Sequence, residues 1–306
     1  MKIHSYNEWD PLRSVVVGRA DHANWPTNDP VFRLESERTL WKETPVPSGP
    51  VPDWIIAEAN EDLDQLCSLL KSLNVEVFRP DDFNFQTHDG MYNYCPRDRL
   101  LVYGDTVVNP AMMYPCRDME LQCYHDVVDS AANYLFMPRH EGMTLDAANI
   151  ARLNDKWIFL ESSSGNRAAY DWMCKHFPKV DIELCNFYAG VHIDSTIVPL
   201  REGLVLVNGS RVTPDNLPQS LKDWEVIYCN HVEEQGFFQY PYASKWIALN
   251  MLVVNPHTVI VDKNQPMLID FLEKNQFTVI PMQLRHSRTL GGGFHCVTLD
   301  TWRENA

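Results

Sequence analysis

Four tight turns set at near-equal intervals constrain this chain more than any other feature. They fall at Gly104-Asp105, Asn154-Asp155, Arg201-Glu202-Gly203 and Asn255-Pro256-His257, about 50 residues apart, a spacing in the range of repeat architectures. Each turn joins two short β-branched runs: Leu100–Tyr103 with Thr106–Val108, Ile150–Leu153 with Trp157–Leu160, Thr196–Leu200 with Leu204–Val207, and Leu249–Val253 with Thr258–Val261. A helical stretch and a third strand follow in turn. The helices are read at Met119 to about Tyr134, Asn166 to His176, Leu217 to Asp223 and Pro266 to Lys274, and the third strands at Val180–Leu184, Trp224–Tyr228 and Phe277–Pro281. A fifth unit forms if the strand after Cys296 pairs with the N-terminal strand in Arg13–Ala20. It would use the helix whose Leu63, Leu66, Leu69, Leu70 and Leu73 recur at three- and four-residue steps, and the strand Val75–Phe78. The expectation is five ββαβ modules closed into a ring within a single domain, 1–306; periodicity alone also allows one continuous mixed α/β sheet. The Pro-rich passage from Pro26 to Pro52 is expected to be irregular surface structure.

Composition narrows the partners. The formal net charge is −15, and the 26 Lys and Arg residues form no run, which argues against phosphate backbones and anionic membrane surfaces. No stretch has the roughly 18 to 20 apolar residues of a membrane span, and the N-terminus has no signal-like apolar core, so a cytoplasmic protein is expected. The eight cysteines, at 67, 95, 116, 123, 174, 185, 229 and 296, include no Cys-x-x-Cys pair. Neither a structural metal site nor a disulfide framework is expected. A Gly-rich phosphate loop, a dinucleotide fingerprint and a His-Glu-x-x-His motif are also lacking, so no cofactor is expected.

Chemistry gathers at one phase of the modules, just ahead of each hairpin. Asp98, Asp146, the pair His192 and Asp194, and Ser244 stand there, and Cys296 opens the fifth module after Leu290-Gly-Gly-Gly-Phe-His295. In a ring, equivalent positions meet near the axis. Three successive glycines fit a main chain that turns sharply or passes close to something, and a thiol after such a turn is well placed as a nucleophile. The alternative reading of an isolated cysteine is a small buried hydrophobe, and of an isolated aspartate a turn former.

Asn7-Glu8-Trp9-Asp10-Pro11-Leu12, Pro96-Arg97-Asp98, Asp146-Ala147-Ala148, His192-Ile193-Asp194, Ser244-Lys245-Trp246 and the Leu290–Cys296 run together resemble the landmarks of the glycine-amidinotransferase-like family of guanidino-group-modifying enzymes. The resemblance extends from near residue 7 to the end. It implies a five-bladed α/β-propeller, L-arginine as donor, a covalent amidino-enzyme, an amine acceptor and a homodimer. By the same resemblance Cys296 is the nucleophile, His192 the general acid/base and Asp146 the carboxylate that orients it. Asp98 and Asp194 clamp the guanidinium, Arg211 binds the amino acid carboxylate, and Ser244 contacts the same end of the substrate. His295 is read as structural. Two departures fall where the acceptor would be read. Ala243 replaces the first serine of a pair, and Tyr188-Ala189-Gly190-Val191 lacks the Asn-Pro-Met of glycine-transferring members. Both argue against glycine as acceptor and for a larger or differently shaped amine, as in members that build antibiotics or toxins. The rival readings are an arginine or guanidine hydrolase using the same cysteine, and a non-catalytic guanidine binder.

Overall fold

The computed structural model describes residues 1–38, 42–188 and 190–304. Among the described residues the strands form five three-stranded sheets and one two-stranded ladder. Each of the five sheets has the same plan, an antiparallel pair of strands of which one carries a parallel third strand. The second blade pairs Leu101–Tyr103 with Thr106–Asn109 and then with Asn133–Phe136. The third uses Ile150–Leu153, Lys156–Leu160 and Asp181–Cys185, with the helix Arg167–His176 as crossover. The fourth uses Ile197–Arg201, Leu204–Asn208 and Glu225–Cys229. The fifth uses Leu252–Asn255, Thr258–Asp262 and Thr278–Met282, crossing over through Pro266–Lys274. The first blade joins both ends of the chain. Leu12–Val17 is antiparallel to Thr298–Arg303 and parallel to Glu76–Phe78. This is a five-bladed α/β-propeller, with the ring closed by the pairing of its two ends.

The helix Asp53–Ser72 shows why such a module folds. Ile55, Ala59, Leu63, Leu66, Cys67 and Leu70 make one buried stripe against the first blade, and Asn74 leaves the helix with a positive φ of 60°. Three expectations need correction. The Pro-rich passage contains a helix at Pro30–Arg38 and a short ladder between Asn24–Trp25 and Gly49–Pro50, because Phe32 finds a fully buried position against Tyr114 and Tyr242. The stretch from Met119 to Tyr134 is broken into a 3-10 segment, Pro115–Cys123, a short helix, His125–Ser130, and the blade's third strand. Lys245–Leu249 is a 3-10 turn capped by Ser244, so the fifth hairpin starts at Leu252, later than expected.

A buried ionic hub binds the blades near the axis. Arg152 donates two hydrogen bonds to Glu8, at 2.9 and 3.0 Å, and others to Asp300 and to the carbonyl of Val102 in the second blade. Asp300 also pairs with Arg97 and Arg303, and Arg303 reaches the carbonyl of Val253 in the fifth blade. Paired guanidinium ions hold both Glu8 and Asp300 below the usual carboxylate range, against the opposing effect of burial. Removing one partner from such a set leaves an uncompensated buried charge. Arg152→Met is therefore expected to destabilise the fold by about 3–5 kcal/mol, read from the urea unfolding midpoint. A change within about 1 kcal/mol would mean that the hub contributes little to stability.

Candidate active site

Cys296 is delivered by a short helix, Ser287–Leu290, and the three glycines that follow it. Gly291 sits at φ +79°, a conformation costly for a side chain. A Cβ on Gly293 would fall 2.9 Å from the backbone oxygen of Asn250. The chain then runs close to Asn250, whose side-chain oxygen accepts the Cys296 N–H at 2.9 Å and whose carbonyl accepts the His295 N–H at 3.3 Å. The thiol is thus held by two points of backbone contact, and its sulfur lies 3.1 Å from Asp194 Oδ2.

His192 and Asp194 come from the segment ahead of the fourth blade. His192 Nε2 is 3.0 Å from Asp146 Oδ2, and its Nδ1 is 3.6 Å from Asp98 Oδ1. The ring also interacts with the Cys296 thiol. Asp146 is itself fixed, because its other oxygen accepts the Met113 N–H at 2.7 Å. Asp98 stands on the single helical turn Pro96–Arg99. Its Oδ2 accepts from Arg117 at 2.9 Å, while Oδ1 is buried without a hydrogen-bond partner. Arg117 is in turn forked onto Glu120, at 2.7 and 3.0 Å.

The charge states follow from these contacts. The hydrogen bond with the Cys95 thiol, burial and the Asp194 carboxylate push the Cys296 thiol well above the usual range. Burial works against charge on His192, but Asp98 and the hydrogen bond to Asp146 outweigh it, and its proton affinity is raised well above that of free histidine. Burial alone would raise Asp194, yet the His295 hydrogen bond and charge bring it down to about 2. Burial pushes Asp98 up in spite of His192 and Arg117 beside it. These contacts favour a neutral thiol, a charged imidazole and an ionised Asp194. A carboxylate oxygen with no donor, buried beside a thiol, suits a planar cation with several N–H groups.

Cys296, His192 and Asp194 line an open cleft of about 500 Å³. Arg211 and Ser244 line it too. Arg211 donates to Thr196 Oγ1 at 2.8 Å and lies over the Tyr188 ring, and Ser244 Oγ accepts the Trp246 N–H at 3.3 Å. Tyr114, Tyr242 and Ala243 form other parts of the wall. Asp98 and Asp146 do not line the cleft; each is 2% exposed and sits behind the His192 ring. All seven expected residues thus gather around one cleft or directly behind it. Ala189, part of the departure noted in the sequence, lies outside the described residues.

Sequence reasoning missed Asn250, Arg117 with Glu120, and Glu8 with His295. Asn250 lies just ahead of the fifth hairpin as the structure draws it, but the sequence pattern places it inside that hairpin's first strand. His295 touches both Asp194 Oδ2, at 2.9 Å, and Glu8 Oε2, at 3.1 Å, so it belongs to the site's charge network. Among the described residues no group of His, Cys, Asp or Glu is arranged to hold a metal ion, and no helix is long and apolar enough to cross a membrane.

No family model matches the chain. It is 39% identical to inosamine-phosphate amidinotransferase 1 of Streptomyces glaucescens, over 97% of this chain and 96% of that protein. The solved structure of inosamine-phosphate amidinotransferase StrB1 from Streptomyces griseus superposes with a TM-score of 0.92 at 38% identity, covering 99% of this chain and 97% of that one. SxtG, an amidinotransferase from Microseira wollei in the saxitoxin biosynthetic pathway, superposes with a TM-score of 0.88 at 26% identity, covering 99% and 98%.

Proposed function

The chain belongs to the amidinotransferase family, and from that premise we propose that it moves the amidino group of L-arginine, through a thioether on Cys296, to a primary amine larger than glycine, releasing L-ornithine. The observation that carries this reading is the convergence of the Cys296 sulfur, the His192 ring and the Asp194 carboxylate at one end of the cleft, with the Asp98 carboxylate buried against the ring.

A guanidinium entering there donates charge-assisted hydrogen bonds to the second oxygen of Asp194 and, where the His192 ring shifts to admit it, to the unpartnered Oδ1 of Asp98. The arriving cation offsets the carboxylate field that holds the thiol protonated, so the thiol proton passes to solvent in the open cleft as arginine binds. The thiolate then forms a bond to the guanidinium carbon. As the bond from that carbon to the side-chain nitrogen of arginine breaks, His192 gives its proton to the departing amine. Ornithine leaves, and the neutral imidazole faces a cationic amidino-thioether. The acceptor amine attacks the same carbon, His192 recovers a proton from it, and the carbon–sulfur bond breaks to return the thiolate. The proton that His192 gives in the first half is regained in the second, and the thiolate takes its own proton back from solvent once the cationic product leaves. Asp146 keeps Nε2 protonated throughout.

Arg211 suits the carboxylate of arginine, and Ser244 a polar contact on the same wall. The acceptor reading rests on Ala243, on the volume of the cleft, and on the relatives named for an inosamine phosphate and for saxitoxin biosynthesis. A phosphorylated amino-cyclitol is the first class to try. The test is a panel of amines, glycine and amino-cyclitol phosphates among them, offered with arginine and scored by ornithine and guanidino product. Ornithine that depends on a larger amine is expected. Citrulline accumulating from arginine in water alone, with no amine-dependent ornithine, would overturn transfer.

A further inference from the structure

Behind the nucleophile, His295 is held between two carboxylates. Its Nδ1 is 2.9 Å from Asp194 Oδ2 and its Nε2 is 3.1 Å from Glu8 Oε2. An ionised carboxylate only accepts hydrogen bonds, so both contacts are satisfied only when both ring nitrogens carry protons. Glu8 has every reason to be ionised, since Arg152 holds it with two N–H groups and Arg97 lies 3.8 Å away. Ile193, Met251 and Val253 line a small cavity of about 20 Å³ beside the ring, Glu8 and Asp194.

We propose that His295 is a positioning residue of the reaction, a permanently charged imidazolium that fixes Asp194 as an ionised carboxylate beside Cys296, with Glu8 as the second anion that keeps the ring charged. The inference rests on reading Asp194 as part of the arginine site. Asp194 Oδ2 faces both the His295 ring and the Cys296 thiol, at 2.9 and 3.1 Å. With the cation in place, Asp194 has no tendency to take the thiol's proton, and proton transfer is left to His192. The same hydrogen bond sets the carboxylate's plane, leaving its second oxygen for the substrate. Charged groups facing His295 are Asp194, Glu8 and Arg97, with the Cys296 thiol beside it; Arg97 opposes the ring's charge, and the two carboxylates together outweigh Arg97 and burial.

Nitrogen NMR of the protein labelled in its histidines tests the charge directly, with His295→Asn used to assign the signal. In the wild type both ring nitrogens are expected to stay protonated from about pH 6 to about pH 9. In Glu8→Gln the amide oxygen can still accept from Nε2, but its NH₂ is set against Arg152, so some loss of stability is expected; in the folded protein the anion is gone and the ring is expected to lose a proton within that range. Arginine affinity should fall about 10-fold to about 100-fold in His295→Asn, the loss of one charge-assisted contact. The acid limb of its arginine binding should move to higher pH as Asp194 becomes easier to protonate. A purely structural role would lower the yield of active protein without moving either pH profile. One bare ring nitrogen in the wild type at neutral pH, or a Glu8→Gln protein whose ring and binding profile match the wild type, overturns the proposal. Failure of arginine to form any adduct would sink amidino transfer instead, and the ring measurement decides His295 regardless.

Discussion

Incubation with L-arginine is expected to leave one amidino group on Cys296, and Cys296→Ser is expected to leave none. The variant should fold, because the anchoring bond runs from the backbone N–H of residue 296 to Asn250 and does not involve the sulfur. Its hydroxyl, however, sits beside Asp194 and in the field of Asp98, where an alkoxide is far harder to form than a thiolate. Ornithine release should drop on the order of 10⁴-fold or more. The pH dependence has a definite sign. The thiol lies above its ordinary range at rest, so the rate of adduct formation should climb as pH rises, with arginine present to supply the compensating cation. The raised proton affinity of His192 keeps the general acid charged into the same alkaline region, so the falling limb should also be displaced upward. Intact mass followed by peptide mapping reads the result. An adduct carried by Cys95, whose thiol hydrogen-bonds Cys296, or turnover by Cys296→Ser at the wild-type rate, would remove Cys296 from its role.

The ring of modules was legible because its signal is local and repeated. A turn dipeptide between two β-branched runs needs no tertiary context, and the same unit recurring at one spacing leaves few arrangements of the ends. The closing pair, Leu12–Val17 with Thr298–Arg303, followed from counting incomplete modules. What was not legible depended on partners distant in the chain. Phe32 makes a helix of a Pro-rich passage because Tyr114 and Tyr242 are there to cover it. Nothing in the local pattern at residues 30–38 announces those rings. The third strand of the second blade, Asn133–Phe136, is mostly exposed and follows the short helix His125–Ser130 after only two residues, and the helix reading from Met119 runs on into it.

The site divides along the same line. Side chains at one module phase were found by topology alone, since a closed ring must bring them together. The residues that set their charge were not. Arg117 reaches Asp98 from a 3-10 segment with no repeat equivalent, and Glu8 reaches His295 from the N-terminal end of the chain, 287 residues away. Those contacts are long-range ion pairs, and a single sequence carries no periodic trace of them.

Asp146→Asn should separate binding from chemistry most cleanly. One oxygen of Asp146 accepts the Met113 N–H at 2.7 Å, and the other faces His192 Nε2 at 3.0 Å. An asparagine must give its oxygen to Met113, because turning it round would set two donors against each other. Its amide NH₂ then faces the ring and compels Nε2 to act as acceptor. The imidazolium is no longer supported, and the remaining proton is moved to Nδ1. In that state the ring has no spare proton to give the departing amine without losing the one on Nδ1, and it cannot take one from the acceptor on that side. A wrongly protonated histidine of this kind costs about 10²–10⁴-fold in turnover. Arginine binding should change little, since Asp98 and Asp194 are untouched. The measurement is single-turnover ornithine release beside arginine affinity from calorimetry. A variant that turns over normally, or one that loses affinity and rate in equal proportion, would show that Asp146 does not act through the imidazole.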